Sequence, residues 1–141
     1  MAEEISSQSL VRPALDIEVD LQDLVAHYPP AAHDQHHFEF TIHEGVVTLT
    51  GNVKSRVTQQ FLLDKVPEIA GVKEVQAEAL ANDDDLRLQI SQLTPIGIFV
   101  NVEYGIVKLT GRLETDTDVN ALMNRIISSV TGIKRIYTAF S

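Results

Sequence analysis

Apolar and polar side chains alternate along two short stretches of this chain. Residues 38–43 read FEFTIH, and residues 98–102 read IFVNV. A period of two is typical of a half-buried β-strand. Each stretch is followed by a turn that contains a glycine, Gly45 or Gly105, and then by an apolar run, VVTLT or IVKLT. The sequence therefore predicts two β-hairpins.

Apolar residues at helical spacing predict one helix before and one after each hairpin. Ser55 is the expected N-cap of the helix after the first hairpin, and Thr115 with Asp118 is the expected capping box after the second. Each unit then ends in a strand, with Val75, Ala77 and Ala79 on one face of the first. The apolar stripes of the helices are Ile17, Leu21, Leu24 and Val25; Val57, Phe61, Leu62, Val66 and Ile69; Leu86, Ile90 and Leu93; and Val119, Leu122, Met123, Ile126 and Val130.

Two segments of the chain repeat each other. With one residue inserted in the second copy, the glycines pair as Gly45 with Gly105, Gly51 with Gly111, and Gly71 with Gly132. Because repeats of this length indicate duplicated supersecondary units, we predict an α+β fold of two tandem α-β-β-α-β units. Each unit is expected to be a three-stranded mixed sheet covered by two helices on one face. The expected divisions are an acidic N-terminal segment, residues 1–14, and units at residues 15–82 and 83–141.

Composition narrows the class of protein. Apolar residues make up 44% of the chain, which is enough for a packed core, and the chain has no cysteine. Disulfides and thiolate metal sites are therefore excluded, while the redox compartment stays open. No apolar run approaches the roughly 20 residues of a membrane span. The start of the sequence does not resemble a secretory signal. The expected location is cytoplasmic as written, or periplasmic if a longer natural chain has been shortened.

The net charge is −9, and most of it lies in the first quarter of the chain. Residues 1–35 hold seven acids and one base, whereas residues 36–82 have a net charge of −2 and residues 83–141 of −1. Binding to nucleic acid requires a basic face that neutralises phosphates, and the sequence has none. Nucleic acid is therefore not an expected partner.

The pattern G-[VI]-V-x-L-T-G, followed by G-[VI] before the last strand, occurs twice and resembles the BON domain. It falls on Gly45, Val47, Leu49, Gly51, Gly71 and Val72, and again on Gly105, Val107, Leu109, Gly111, Gly132 and Ile133. The resemblance implies a non-enzymatic bacterial module associated with phospholipid or membrane surfaces, envelope integrity and osmotic stress. It implies no fixed catalytic set, and the six glycines are expected, from their conformational freedom, to shape the backbone.

Two alternatives stand beside phospholipid binding. An acidic chain without an export signal favours a soluble cytoplasmic module that self-assembles or acts as a scaffold. Each copy has only about 55–60 residues, and domains of that size bury about 60% of their unfolded surface, so the copies are expected to pack together. Their open sheet edges make a homo-oligomer the expected state. Ion sensing, in particular of potassium, is a further alternative.

The most conspicuous polar cluster is AHDQHHFEF, which places His33, His36 and His37 beside Asp34. Imidazoles with a carboxylate can bind zinc or copper. The alternative is a polar loop, because neighbouring side chains of an extended chain point in opposite directions. We expect no metal site here, and the three histidines are retained only as candidates.

A second candidate site combines Arg125, Lys134 and Arg135 with Tyr137. These residues suit a headgroup phosphate or a partner, or else they form a solvated face. Tyr104, at the tip of the second hairpin, is expected to be an exposed aromatic that contacts a membrane or a partner. No nucleophile elbow and no phosphate-binding loop is present, so we predict no catalytic residues and no cofactor.

Overall fold

The computed structural model describes residues 12–141, and the structural statements below refer to that part of the chain. Of the predicted acidic segment, residues 1–14, only the last three positions are described. The elements, in chain order, are α1 Ala14–Ala26, α2 Pro29–His33, β1 Phe38–His43, β2 Val46–Val53, α3 Arg56–Lys65, a 3-10 turn Val66–Glu68, β3 Glu74–Asn82, α4 Asp83–Leu93, β4 Ile98–Glu103, β5 Ile106–Gly111, α5 Val119–Ser129 and β6 Arg135–Phe140.

The strands of this part of the chain form two three-stranded sheets. Sheet 1 has the order β1-β2-β3, and sheet 2 has the order β4-β5-β6. In both, the first two strands are antiparallel and the third pairs parallel with the second. A parallel pair needs a crossover connection, and α3 and α5 lie in those connections. The prediction of an α+β fold with two three-stranded mixed sheets is confirmed.

Both hairpins close through a two-residue turn. The φ angles are 49° at Glu44 and 82° at Gly45, and 48° at Tyr104 and 80° at Gly105. Two successive residues with positive φ define a type I′ turn, whose twist matches that of the flanking strands. The predicted hairpins are therefore confirmed, and their turns have the same geometry.

Side chains cap three of the helices. Ser55 accepts a hydrogen bond from the N–H of Thr58 and caps α3, as expected. Asn82 caps α4 in the same way, so β3 passes directly into that helix. The expected capping box at Thr115 is wrong, because α5 begins only at Val119 and its N-cap is Asp118, which accepts from the N–H of Ala121.

The first unit departs from the expected pattern at two points. Helix α1 ends at Ala26, before Pro29, and Pro29 begins the short helix α2, which the sequence pattern does not predict, since proline fits the first turn of a helix. In β3, the pairing with β2 shifts between Thr48 and Thr50. This bulge turns Leu80 into the core and leaves Ala79 exposed, so Ala79 does not share a face with Val75 as predicted.

Each sheet packs against helices around its own hydrophobic core. The predicted helical stripes supply about half of the buried residues and the strands most of the rest, but Val57 is exposed, because Thr58 takes the inward position beside the cap. The buried residues of the first core are Ile17, Leu21, Val25, Ala31, Phe38, Val47, Leu49, Val53, Leu62, Val66 and Leu80. Those of the second are Leu86, Ile90, Val102, Val107, Leu109, Leu122, Ile126 and Val130.

Candidate functional site

Each sheet turns one face toward its core and the other face away from it. We call the outward residues of sheet 1 face 1 and those of sheet 2 face 2. Strand register places them in three rows across each sheet. Face 1 consists of Glu39, Thr41, His43, Val46, Thr48, Thr50, Glu74, Gln76 and Ala79. Face 2 consists of Phe99, Asn101, Glu103, Ile106, Lys108, Thr110, Arg135, Tyr137 and Ala139.

Face 2 combines exposed apolar side chains with bases. Phe99 is 68% exposed, Tyr137 49% and Ile106 43%. Lys108 lies between Asn101 and Tyr137 in the central row. Arg135 donates a hydrogen bond to the Tyr137 hydroxyl at 3.2 Å, which holds the guanidinium against the aromatic residue. Tyr137 has an apolar ring and a solvent-exposed hydroxyl, and it lies beside two cations. Such a residue suits an interface between apolar and charged groups.

Face 1 has the opposite chemistry at the corresponding positions. The three strands of sheet 1 carry Glu39, Glu74 and Glu78, with no lysine, arginine or outward aromatic residue. The remaining outward positions are mostly threonine and glutamine. A cation is therefore favoured near face 1, and an anion near Lys108 and Arg135 of face 2, where Glu103 is the one acid in the row of Arg135.

The structure brings together only part of the predicted basic cluster. Arg135 and Tyr137 are in contact, and Lys134 lies just before the same strand, where its N–H bonds the Gly105 carbonyl at 2.8 Å. Arg125 is on α5 and donates to the Leu93 carbonyl at the end of α4, at 3.0 Å. It therefore lies on the helical side of the second unit and does not join face 2.

The expectation that Tyr104 is exposed is wrong, since only 8% of it is accessible. Its hydroxyl donates to the Asp34 carboxylate at 2.7 Å, across 70 residues of sequence. Its ring stacks on His37 with centroids 3.5 Å apart, and the Lys54 ammonium lies 5.8 Å from the ring. The second hairpin thus packs against the first unit, which the sequence pattern of the hairpin alone does not indicate.

Two buried carboxylates hold this junction. Asp34 also accepts from the N–H of Lys54 at 3.0 Å, and Asp83 accepts from the N–H groups of Tyr104 and Gly105 at 2.7 and 3.1 Å. Burial raises the pKa of Asp83, although the two backbone bonds act in the opposite direction. Burial and the bond to Asp34 likewise raise the pKa of the Tyr104 hydroxyl. The junction is therefore rich in negative charge that is satisfied by hydrogen bonds.

Further polar contacts join the two units beside these carboxylates. Asn52 donates to the Gly132 carbonyl at 3.2 Å, and its side chain occupies the space into which a Cβ of Gly105 would project. Arg56, the first residue of α3, donates to Asp84 through its backbone and pairs with Asp85 through its guanidinium. A mostly polar junction of this kind fixes the orientation of the two units through the geometry of hydrogen bonds.

The three candidate histidines lie in different surroundings. His33 and His36 are exposed, whereas His37 is half-buried under the Tyr104 ring. Between residues 12 and 141, no three histidine or acidic side chains gather in a way that could hold a metal ion. Asp34, which the sequence suggested as a partner of these histidines, bonds instead to Tyr104 and Lys54.

The sequence reasoning missed the polar residues of the junction, Asp34, Asn52 and Asp83. Asp83 had one usable signal, because Asn82 directly before it can cap a helix and so places Asp83 at the first position of that helix. Asn52 directly follows the glycine that closes the first hairpin, and nothing in the local pattern distinguishes it from a turn residue. Within the described residues, no helix is long and apolar enough to cross a membrane.

The fold is thus an α+β arrangement of two mixed sheets with helices and a polar junction. Comparison with known families finds a BON domain at residues 16–82, and the match does not extend to residues 83–141. No curated protein matches the chain significantly.

Two solved structures of CdsD from Chlamydia trachomatis share this fold. The first, a C-terminal domain described as the structural protein of the type III secretion system, superimposes with a TM-score of 0.70 at 13% identity. The superposition covers 86% of this chain and 62% of the chain in that structure. The second has a TM-score of 0.70 at 14% identity, with 92% and 63% coverage. This chain therefore spans less than two thirds of those structures, and at this identity the likeness concerns the fold alone.

Proposed function

We propose that this chain is a non-enzymatic binding module made of two BON-like units, residues 15–82 and 83–141. The repeated backbone supports a second unit beyond the matched domain. The N–H of Lys73 bonds the Gly45 carbonyl at 2.8 Å, and the N–H of Lys134 bonds the Gly105 carbonyl at the same distance. The motif glycines Gly45, Gly51, Gly71, Gly105, Gly111 and Gly132 all have positive φ.

The function that the geometry supports best is attachment to a phospholipid surface through face 2. The observation that carries this proposal is the exposure of Phe99, Ile106 and Tyr137 next to two bases on one face of sheet 2. Aromatic and aliphatic side chains insert at the boundary between headgroups and acyl chains, and each nearby base contributes about 1 kcal/mol on an anionic surface. A role in envelope or osmotic stress fits such attachment.

Co-sedimentation with vesicles tests this proposal. We expect the chain to bind vesicles that contain phosphatidylglycerol and to bind phosphatidylcholine vesicles less. Lys108→Glu with Arg135→Glu should abolish the difference, because the double variant reverses both positive charges of face 2. The matched control is Lys65→Glu with Lys73→Glu, which changes the net charge equally in the first unit and should keep most of the binding. Equal loss in both double variants would contradict the proposal.

A second candidate is a soluble cytoplasmic assembly in which copies bind one another. It is favoured by the opposite charges of face 1 and face 2, which allow face 2 of one copy to meet face 1 of the next. The shared fold with a structural protein of a secretion system is compatible with it. Such a contact joins different surfaces, so it builds a ring or a filament. A light-scattering mass above that of one chain, lowered by salt and unchanged by lipid, would favour assembly over lipid binding.

A further inference from the structure

A groove runs between helix α1 and strand β1 of the first unit, and none of its lining residues belongs to face 2. Its volume is about 560 Å³. Val25, Phe38 and Phe40 give it an apolar floor, and Glu18, Asp23 and Glu39 lie along its rim. No lysine or arginine is among its lining residues. The groove is therefore apolar inside and acidic at its margins.

The strand that forms one wall of this groove is the outer strand of sheet 1. Within residues 12–141, β1 pairs with β2 on one side and with no strand on the other. The His37 carbonyl accepts from the N–H of Asn52 at 2.9 Å, and antiparallel bonding alternates from that pair along the strand. The N–H and C=O groups of Phe38, Phe40 and Ile42 consequently point outward, past the groove. A row of unpaired backbone groups at a sheet edge is a template for another strand.

The acidic rim selects among extended segments. A segment that adds to β1 receives main-chain hydrogen bonds whatever its sequence, so its side chains decide the specificity. Three carboxylates without a neighbouring base in the groove favour lysine or arginine and repel acids. The chain's own residues 1–11 contain two glutamates and no base, so they do not complement the rim.

We infer that this groove binds an extended basic peptide segment of a partner protein, which adds to β1 as a fourth strand of sheet 1. The six residues of β1 correspond to about 20 Å of extended chain, so a segment of six to eight residues spans the edge. Alternate side chains of that segment lie over the apolar floor. The remaining side chains lie on the side of Glu39, where a basic side chain pairs with its carboxylate, and Glu18 and Asp23 add negative charge on the helix side of the groove. This site is independent of the proposed function, which uses face 2.

Fluorescence anisotropy with a labelled peptide of sequence TKVKVKT tests the inference. We expect saturable binding at micromolar concentrations in 0.15 M salt and no binding of the matched peptide TEVEVET. Glu18→Lys with Glu39→Lys should weaken binding at least tenfold. The control pair Glu74→Lys with Glu78→Lys changes the net charge equally at the opposite edge of the same sheet, and should change binding less than threefold. All four positions are exposed, and circular dichroism checks that each variant is folded.

Backbone methylation separates strand addition from simple charge attraction. Two versions of the peptide carry N-methyl groups on alternate residues, so that one version has methyl groups where its N–H groups face β1. We expect that version to lose binding and the other to keep it. Equal binding of both versions, or an equal effect of the two charge-reversal pairs, would overturn the inference. Lys108→Glu with Arg135→Glu should leave peptide affinity unchanged, so failure here is distinguishable from failure of the lipid proposal.

Discussion

Face 1 and face 2 occupy corresponding positions on two sheets of the same topology, yet their chemistry is opposite. Where face 1 has Glu74 and Gln76, face 2 has Arg135 and Tyr137. Beneath them, the hairpin glycines Gly45 and Gly105 differ by only 2° in φ, 82° against 80°. The comparison teaches that glycines and buried aliphatic residues determine the shape of each sheet, whereas the outward side chains are free to determine what it contacts.

Substitution of the glycine near the end of the second strand of each hairpin should lower the stability of the fold most. Gly51 and Gly111 have φ of 108° and 114°, and an added Cβ would collide with the carbonyl oxygen of His37 or Gly97. Gly51→Ala and Gly111→Ala should each lower the free energy of unfolding by about 3 kcal/mol, because strain and a backbone clash add. Urea unfolding measures the loss for each variant. Equal losses would support the structural equivalence of the two sheets.

Gly97→Ala is the matched control for backbone strain without a clash. Gly97 also has positive φ, 95°, but an added Cβ would lie 3.5 Å from the nearest backbone oxygen, that of Arg112. We expect a loss of about 1 kcal/mol, which is the ordinary cost of a side chain in a left-handed conformation. If Gly111→Ala costs no more than this control, or if only one of the two hairpins is sensitive, the structural equivalence fails.

The two hairpin tips differ as sharply as the two faces. The first turn residue is the exposed Glu44 in one hairpin and the buried Tyr104 in the other. Tyr104→Phe removes the hydrogen bond to a carboxylate that is only 1% exposed, Asp34, and should cost about 2 kcal/mol. Tyr137→Phe, on the exposed face 2, should cost less than about 0.5 kcal/mol. Urea unfolding that finds equal costs for these two variants would refute the role of Tyr104 in the junction.

The first helix of each unit also begins differently, and this predicts a smaller, pH-dependent effect. Helix α1 begins at Ala14, whereas α4 begins at the buried Asp83. Since burial raises the pKa of Asp83, the folded chain binds this proton more tightly than the unfolded chain does. This carboxyl therefore adds stability as the pH falls toward its unfolded pKa, and that gain is lost as the pH rises through the folded pKa.

Asp83→Asn removes this titration together with one of the two backbone hydrogen bonds. The variant should be less stable than the parent, by about 1–2 kcal/mol, because a buried N–H loses its acceptor. The deficit should be larger at pH 4.5 than at pH 7, when both proteins are unfolded in urea at each pH. A deficit that shrinks toward pH 4.5 would contradict the direction of the pKa shift.

Local patterns predicted most of the fold. The alternation of apolar and polar residues, together with a glycine in a two-residue turn, was enough to predict both hairpins, because such a turn determines the register of the two strands. Helical stripes predicted the buried positions of α1, α4 and α5, since periodicity of 3.6 residues directly reflects which side is covered. The inward turn of Leu80 was not predictable, because a bulge in β3 changes its alternation without any glycine to indicate it.

The surfaces were predicted less completely. Arg135 and Tyr137 were grouped correctly because strand alternation places residues i and i+2 on one face. Arg125 was grouped with them only by proximity in sequence, and the helix carries it elsewhere. Tyr104 was misjudged because its burial depends on Asp34 and His37, which are distant in sequence and belong to the other unit.

The most direct test of the account uses tryptophan as a reporter, since the chain has none. Tyr137→Trp places one reporter on face 2, and Gln76→Trp places one at the corresponding position of face 1, without a change of charge. Emission spectra are recorded with and without phosphatidylglycerol vesicles. We expect a shift of emission to shorter wavelength for Tyr137→Trp and none for Gln76→Trp. An equal shift at both positions, or a shift only at Gln76→Trp, would contradict the claim that face 2 is the contact surface.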